Sequence, residues 1–136
     1  MKRFILDTNI MSLLLRYDHS VRLRFQSTVR DEDVLIGCPL VYHEVKRGLL
    51  AKGARSQLAR LQALFDGFNW QDYQLGDWDL AAQLWAQRRS IGHPINDADL
   101  FIAAFTLRRN AILVTANEKD FVDLGLPIEN WENEAE

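Results

Sequence analysis

Five side chains fall where a catalytic or cation-holding group belongs: Asp7, Glu44, Asp97, Asp99 and Asn117. Asp7 directly follows the apolar run Arg3-Phe4-Ile5-Leu6, and Asn117 comes just after a second such run, Ala111 to Val114. Asp97 and Asp99 stand in the first turn of the helix predicted to feed that second run. Glu44 is mid-helix, and its neighbours at i−3, i+4 and i+5 are Val41, Gly48 and Leu49, small or apolar surroundings that are unusual for a glutamate. Each acid has a local explanation. Asp7 or Thr8 can cap a helix, Asn96 with Asp99 resembles a capping box, and first-turn aspartates suit the helix dipole. Convergence is what separates the two readings. Two carboxylates about 4 Å apart at an effective dielectric of about 20 repel by about 4 kcal/mol. Three or four at one sheet edge therefore need protonation or a cation. With a single cysteine and no histidine cluster, an oxygen-only ligand set points to Mg²⁺ or Mn²⁺ over zinc.

The elements that must position these groups follow from periodicity. Arg3 to Leu6 reads as a buried strand that stops at Asp7-Thr8-Asn9. Ile10, Leu13 and Leu14 then take helical spacing, and Val21, Phe25 and Val29 continue a four-residue period to Asp31-Glu32-Asp33. Val34 to Ile36 is a second strand ending at Gly37. Pro39 suits the first turn of a helix running to about Leu50, and Leu58, Leu61, Phe65 and Phe68 line another after Gly53. Asn69 to Tyr73 is a weakly signalled strand. Trp78, Ala81, Ala82 and Trp85 mark a helix closing near Gly92-His93-Pro94, and Asn96 or Asp97 to Arg109 is the most apolar helix. The spacing of Trp70, Tyr73, Trp78 and Trp85 assigns these aromatics to the core rather than to base stacking. Strands without alternation, separated by helices, predict a three-layer α/β/α sandwich with a mostly parallel sheet. In such sheets ligands bind outside the carboxyl ends of the strands, which is where Asp7 and Asn117 fall.

The 136 residues read as one domain spanning 1–136, with the acidic tail fraying beyond about Trp131. No run approaches the ~20 apolar residues of a membrane span, and the apolar stretch after Lys2-Arg3 is too short for a secretory signal, so a cytoplasmic location is expected. Cys38 has no partner for an internal disulfide. No dinucleotide fingerprint, phosphate-cradling glycine loop or serine or cysteine nucleophile constellation is present. His19, His43 and His93 are scattered, which fits surface roles. Charge is uneven: residues 1–60 carry 11 Lys+Arg against 6 Asp+Glu, and residues 61–136 carry 5 against 13. The basic half suits a polyanion, the acidic half cations.

Four blocks in order, Leu6-Asp7-Thr8-Asn9-Ile10, Val41-Tyr42-His43-Glu44-Val45, Asn96-Asp97-Ala98-Asp99-Leu100-Phe101-Ile102-Ala103-Ala104 and Leu113-Val114-Thr115-Ala116-Asn117, resemble the PIN domain of VapC-type toxins. The resemblance implies a Mg²⁺-dependent endoribonuclease, the toxin of a toxin–antitoxin pair, homodimeric, held inactive by a VapB-type antitoxin and cutting structured RNA, notably transfer RNA. Position by position, it assigns the three acidic positions to Asp7, Glu44 and Asp99, with Asp97 an additional carboxylate. A fourth acidic position of many PIN domains falls on Asn117, which brings no charge; Asp120 stands three residues on. Asp7 and Asp99 are then the metal ligands, Glu44 a ligand or the base for water, and Thr8, Asn9 and Thr115 positioning groups. Arg16, Lys46, Arg47, Lys52 and Arg55 are the candidates for holding RNA against an otherwise repulsive acidic cleft. Two alternatives stay open. One is a PIN-like RNA- or protein-binding module without turnover. The other is a phosphatase with Asp7 as nucleophile, which fits less well because Asn9 stands where that chemistry wants an acid.

Overall fold

The computed structural model describes residues 1–132, in which five short strands form one parallel sheet flanked by six helices. The strands are β1 (Arg3–Leu6), β2 (Val34–Gly37), β3 (Asn69–Trp70), β4 (Ile112–Val114) and β5 (Ile128–Glu129), in the order β3-β2-β1-β4-β5. The helices are α1 (Thr8–Leu15), α2 (His19–Arg30), α3 (Pro39–Lys52), α4 (Arg55–Asp66), α5 (Leu75–Ser90) and α6 (Asp97–Arg108), followed by a 3₁₀ turn at Glu118–Phe121. From β1 the chain winds outward to β2 and β3, then crosses back to place β4 on the other side of β1. With right-handed crossovers, this reversal puts α1 to α4 on one face and α5 with α6 on the other. That is the expected three-layer sandwich. It also makes the carboxyl ends of β1 and β4 the topological switch point. Their register is Phe4 with Ile112, Ile5 with Leu113 and Leu6 with Val114, and the Asp7 amide donates to the Val114 carbonyl at 3.0 Å.

Phe4, Ile5, Leu6, Leu113 and Val114 are all buried, as a strand covered on both faces requires. The buried side of α6 runs through Leu100, Ile102, Ala103, Ala104, Phe105 and Thr106, in agreement with its apolar sequence. Four expectations are corrected. The period from Ile10 to Val29 is not one continuous helix. Tyr17 takes a left-handed φ of 62°, and Asp18 caps a new helix by accepting from the Val21 amide at 3.1 Å, leaving Val29 exposed. The third strand ends at Trp70, short of Tyr73. The edge strand β5 pairs with Leu113 and Val114 and was not foreseen.

The fourth correction concerns the tryptophans. Trp70, Trp78 and Trp85 are 40–45% exposed, and the buried stripe of α5 is Asp77, Ala81, Leu84 and Arg88. Asp77 is fully buried against Arg108 and Arg109, both 2.9 Å away. That ion pair lies between α5 and the end of α6 and sets the rotation of α5. Trp131 is fully buried, packs edge-on to Phe4 and receives the Ser20 hydroxyl on its carbonyl at 2.6 Å. Of the tail expected to fray beyond about Trp131, Glu132 donates its amide to Asn130 Oδ1 at 2.9 Å, and residues 133–136 lie outside the described residues. Among the described residues, no helix is long and apolar enough to cross a membrane.

Candidate active site

The switch point carries a cleft of about 250 Å³ whose polar wall includes Asp7, Thr8, Asn9, Glu44, Asn96, Asp99 and Asn117. Asp7 leaves β1 in an extended conformation and caps α1, its Oδ1 accepting from the Ile10 amide at 3.0 Å. It is only 5% exposed. Burial pushes its pKa up to about 6 and the charge of Asp99 adds to the shift, against the Thr115 hydroxyl and the Ile10 and Asn9 amides, which favour the ionised form. The sequence thus places a carboxylate where water does not solvate it and one hydrogen-bonded helix terminus does not make up the loss.

Asp99 lies in the first turn of α6. Asn96 caps that helix, accepting from the Asp99 amide at 2.9 Å, and its amide nitrogen donates to Asp99 Oδ2 at 2.8 Å. Burial raises the Asp99 pKa; Asn96 opposes the shift, and the charges of Asp120 and Glu44 add to it. Glu44 accepts a 2.6 Å hydrogen bond from Thr8 Oγ1, with Arg47 at 3.7 Å on its outer side. Asp7, Glu44 and Asp99, distant in sequence, therefore share one small basin, in which the charge of Asp99 bears on Asp7 and that of Glu44 on Asp99. Asn117 stands at the mouth, its amide donating to the Thr115 hydroxyl oxygen at 3.0 Å. Thr115 is fully buried beneath it. Asp120, on the 3₁₀ turn, contributes charge from outside the cleft wall.

Asp97 does not join this group. Two residues on a helix differ by about 200°, so with Asp99 facing the cleft, Asp97 lines the opposite groove beside Trp78 and Trp85. Among the described residues, no three Asp, Glu, His or Cys side chains form a ready cage for an ion. Instead each of the three convergent acids is held by a local donor: Asp7 by Ile10, Glu44 by Thr8 and Asp99 by Asn96. Their donor chemistry still fits a hard divalent cation. All donors are oxygens, carboxylates keep lone pairs beyond one hydrogen bond, and Asp7 is raised by burial, with the charge of Asp99 adding to the shift. His43 lies 3.5 Å from Arg47 on the outer side of α3, apart from the acids.

The five basic candidates divide. Arg16 and Lys52 line a second cleft that adjoins the first through Thr8 and Glu44. Arg47 flanks Glu44. Lys46 lies over the Tyr42 ring and donates to its hydroxyl at 3.1 Å, and Arg55 is exposed at the start of α4; neither lines either cleft. Two residues were not singled out for the site, Asn96, read only as a helix cap, and Arg88. Asn96 holds Asp99 by both backbone and side chain. Arg88, only 7% exposed, donates at 2.7 Å to the carbonyls of His93 and Val122, tying the segment that enters Asn96 to the one that follows Asn117 and Asp120. Counting seven residues on from Ala81 places Arg88 on the buried stripe, which is the signal that was available.

A family model described as the PIN domain matches residues 4–126. Among solved structures, VapBC2 from Rickettsia felis bound to a DNA fragment from its promoter superposes with a TM-score of 0.86 at 23% identity, covering 95% of this chain and 98% of that one. DNA-bound VapBC from Salmonella typhimurium gives 0.83 at 23% identity, over 96% and 99% of the two chains. VapBC-5 from Mycobacterium tuberculosis, a member of the VapBC family of toxin–antitoxin systems, gives 0.66 at 19%, over 96% and 98%. No curated protein matches the chain.

Proposed function

The chain belongs to the PIN-domain family, and from that membership we propose that it is a divalent-metal-dependent endoribonuclease and the toxin of a toxin–antitoxin pair. The observation that carries the reading is the convergence of Asp7, Glu44 and Asp99 on one cleft at the switch point, with Asp7 raised by burial to about 6. Asp7 and Asp99 would hold the ion, Mg²⁺ or Mn²⁺, with Glu44 as further ligand or as base. When bound, the ion lowers the pKa of coordinated water and offsets charge developing at phosphorus. The remaining work falls to the protein. Glu44, aimed by Thr8, accepts the proton of the attacking water; Asn117 and Asn9 offer amides to phosphate oxygens; Thr115 fixes the turn that presents Asn117. In-line attack on the phosphodiester leaves a 5′-phosphate and a 3′-hydroxyl. Structured RNA, notably transfer RNA, is the proposed substrate. A VapB-type antitoxin is the proposed inhibitor, a homodimer the proposed assembly and the cytoplasm the proposed site of action. The likeness to VapBC structures supports the antitoxin.

Incubating the protein with RNA in Mg²⁺ or in excess EDTA tests the proposal. Cleavage is expected only with the metal, and Asp99→Asn is expected to lower the rate by about 1,000-fold. Cleavage that survives EDTA, or Asp99→Asn, would contradict the site assignment; RNA binding without cleavage favours a non-catalytic module, a reading consistent with Asn117 in place of an acid.

Arg88 supplies a second test, because it acts through loops rather than on substrate. Arg88→Met frees the His93 and Val122 carbonyls and lets the Asn96 and Asn117 segments drift apart. Its kcat is expected to fall on the order of 10- to 100-fold with KM nearly unchanged. Arg88→Lys, which keeps one donor to a carbonyl, should recover part of the loss. A fall in folded fraction alone, with kcat per folded molecule intact, reduces Arg88 to a packing residue.

A further inference from the structure

The second cleft, of about 140 Å³, is separated from the acidic one by the hydrogen bond between Thr8 and Glu44. Gly48, one turn beyond Glu44 in α3, opens its side: no atom lies within 4 Å of the place a Cβ would occupy. Arg16, at the end of α1, and Lys52, at the end of α3, both line it, and neither forms an ion pair with another of the described residues. Gln57 adds an amide and Ser12 a hydroxyl. In a chain of net charge −3, two cations without counter-ions among the described residues line a recess whose floor is Leu15, Val45 and Leu49 and whose one acidic wall residue, Glu44, is shared with the cleft beyond. That arrangement recognises an anion.

Resting on the ribonuclease reading, we propose that the recess beside Gly48 is a backbone-phosphate subsite. It seats the phosphate adjoining the scissile one, so that RNA crosses the Thr8 and Glu44 partition as a single strand. The cations supply the affinity that the acids alone would oppose.

The test uses the full chain and a short single-stranded oligoribonucleotide, kept intact by EDTA, which withholds the metal the cleavage needs, with binding read by fluorescence anisotropy across a salt series. Arg16→Gln and Lys52→Gln together are expected to reduce the slope of log affinity against log salt by about 0.7, the increment of one phosphate contact on a single strand, and each alone by a part of it. Gly48→Gln fills the recess without removing a charge, and glutamine is a better helix former than glycine. It is expected to weaken binding about 5-fold or more and to lower the salt slope by about 0.7, because the phosphate no longer reaches the two cations, with no lower Tm. Arg30→Gln, at the end of α2 and lining neither cleft, should behave as wild type apart from a small electrostatic change. Three cleft variants indistinguishable from Arg30→Gln, in a wild-type protein that cleaves RNA, overturn the subsite and leave the nuclease standing. Wild-type binding that shows the expected pattern without Mg²⁺-dependent cleavage does the opposite, and a protein that neither binds nor cleaves RNA overturns both.

Discussion

Asp7→Asn is expected to abolish metal-dependent RNA cleavage and at the same time to make the protein more stable at pH 7.5. The two effects have one cause. Asparagine keeps an oxygen for the Ile10 amide, so the cap of α1 survives, while the buried charge disappears. The carboxyl titrates near 6 in the fold against an ordinary value of 3.8, mainly through burial. The folded state therefore holds this proton more tightly than the unfolded chain. Between about pH 4 and 6 the unfolded chain releases the proton first, and stability falls as pH rises through that window. Above it, the ionised carboxylate costs on the order of 2–3 kcal/mol. Urea unfolding should show a limb declining from pH 4 to 6 in the wild type and a shallower one in Asp7→Asn, where Asp99 is the buried carboxyl of the cleft that stays raised. Millimolar Mg²⁺ should recover stability at pH 7.5 in the wild type and not in the variant, because an ion that binds only the folded state adds stability by mass action. A variant less stable than wild type at pH 7.5, with the declining limb retained, would make Asp7 an ordinary helix cap. The rate loss, of about 1,000-fold or more, is the counterpart: the carboxylate that weakens the fold is the one the reaction needs.

How far the sequence reveals this site depends on where the information lies. Asp7 at the end of an apolar strand, Asp99 at the start of an apolar helix and Glu44 on a small-residue face are legible because each is tied to a local pattern. The parallel sheet forces the ends of β1 and β4 together. Asp97 shows the limit. Its sequence neighbourhood equals that of Asp99, and only helical rotation sends it to the other groove. The same rotation misleads on α5. The buried stripe begins at Asp77, and Trp78 and Trp85 lie one residue, about 100°, beyond Asp77 and Leu84. A stripe led by aspartate and closed by arginine carries little hydrophobic periodicity, so the aromatic residues beside it define the wrong face. What makes Asp77 and Arg88 fit inside is their partners: Arg108 and Arg109 from the far end of α6, and two loop carbonyls. Such pairings are tertiary, as is β5, two residues long and held by its register against β4. No window of the sequence contains them.

The Asp77 cluster leads to the other large expected effect. The carboxylate is wholly buried and is reached by the guanidinium groups of Arg108 and Arg109, and Asp77 Oδ2 also accepts from the Gln74 amide at 2.8 Å. Burial pushes its pKa up, but the Arg109 hydrogen bonds, the Gln74 amide and Arg108 outweigh that and hold it below the ordinary range. Arg109 is itself only 8% exposed and spans to the Gln71 side chain and the carbonyls of Asp72 and Phe105. Asp77→Ala therefore strands a buried cation as well as the α5 cap, and a loss of about 3–5 kcal/mol is expected. Arg108→Ala removes the partner that is 36% exposed, leaves the inner pair intact and should cost about 1 kcal/mol. Urea midpoints of the two variants check the hierarchy; equal losses would mean that Arg108, not Arg109, neutralises the carboxylate. The sign with pH is opposite to that of Asp7. A lowered folded pKa contributes stability above about 3.8 that is lost as pH falls through the folded value, whereas Asp7 contributes stability that is lost as pH rises toward 6. Together the two aspartates put the wild-type optimum in mildly acid solution, between their windows. Asp77→Ala should weaken the acid limb alone, and Asp7→Asn the other, because one buried carboxylate is already neutralised by the fold and the second is left for a cation to neutralise.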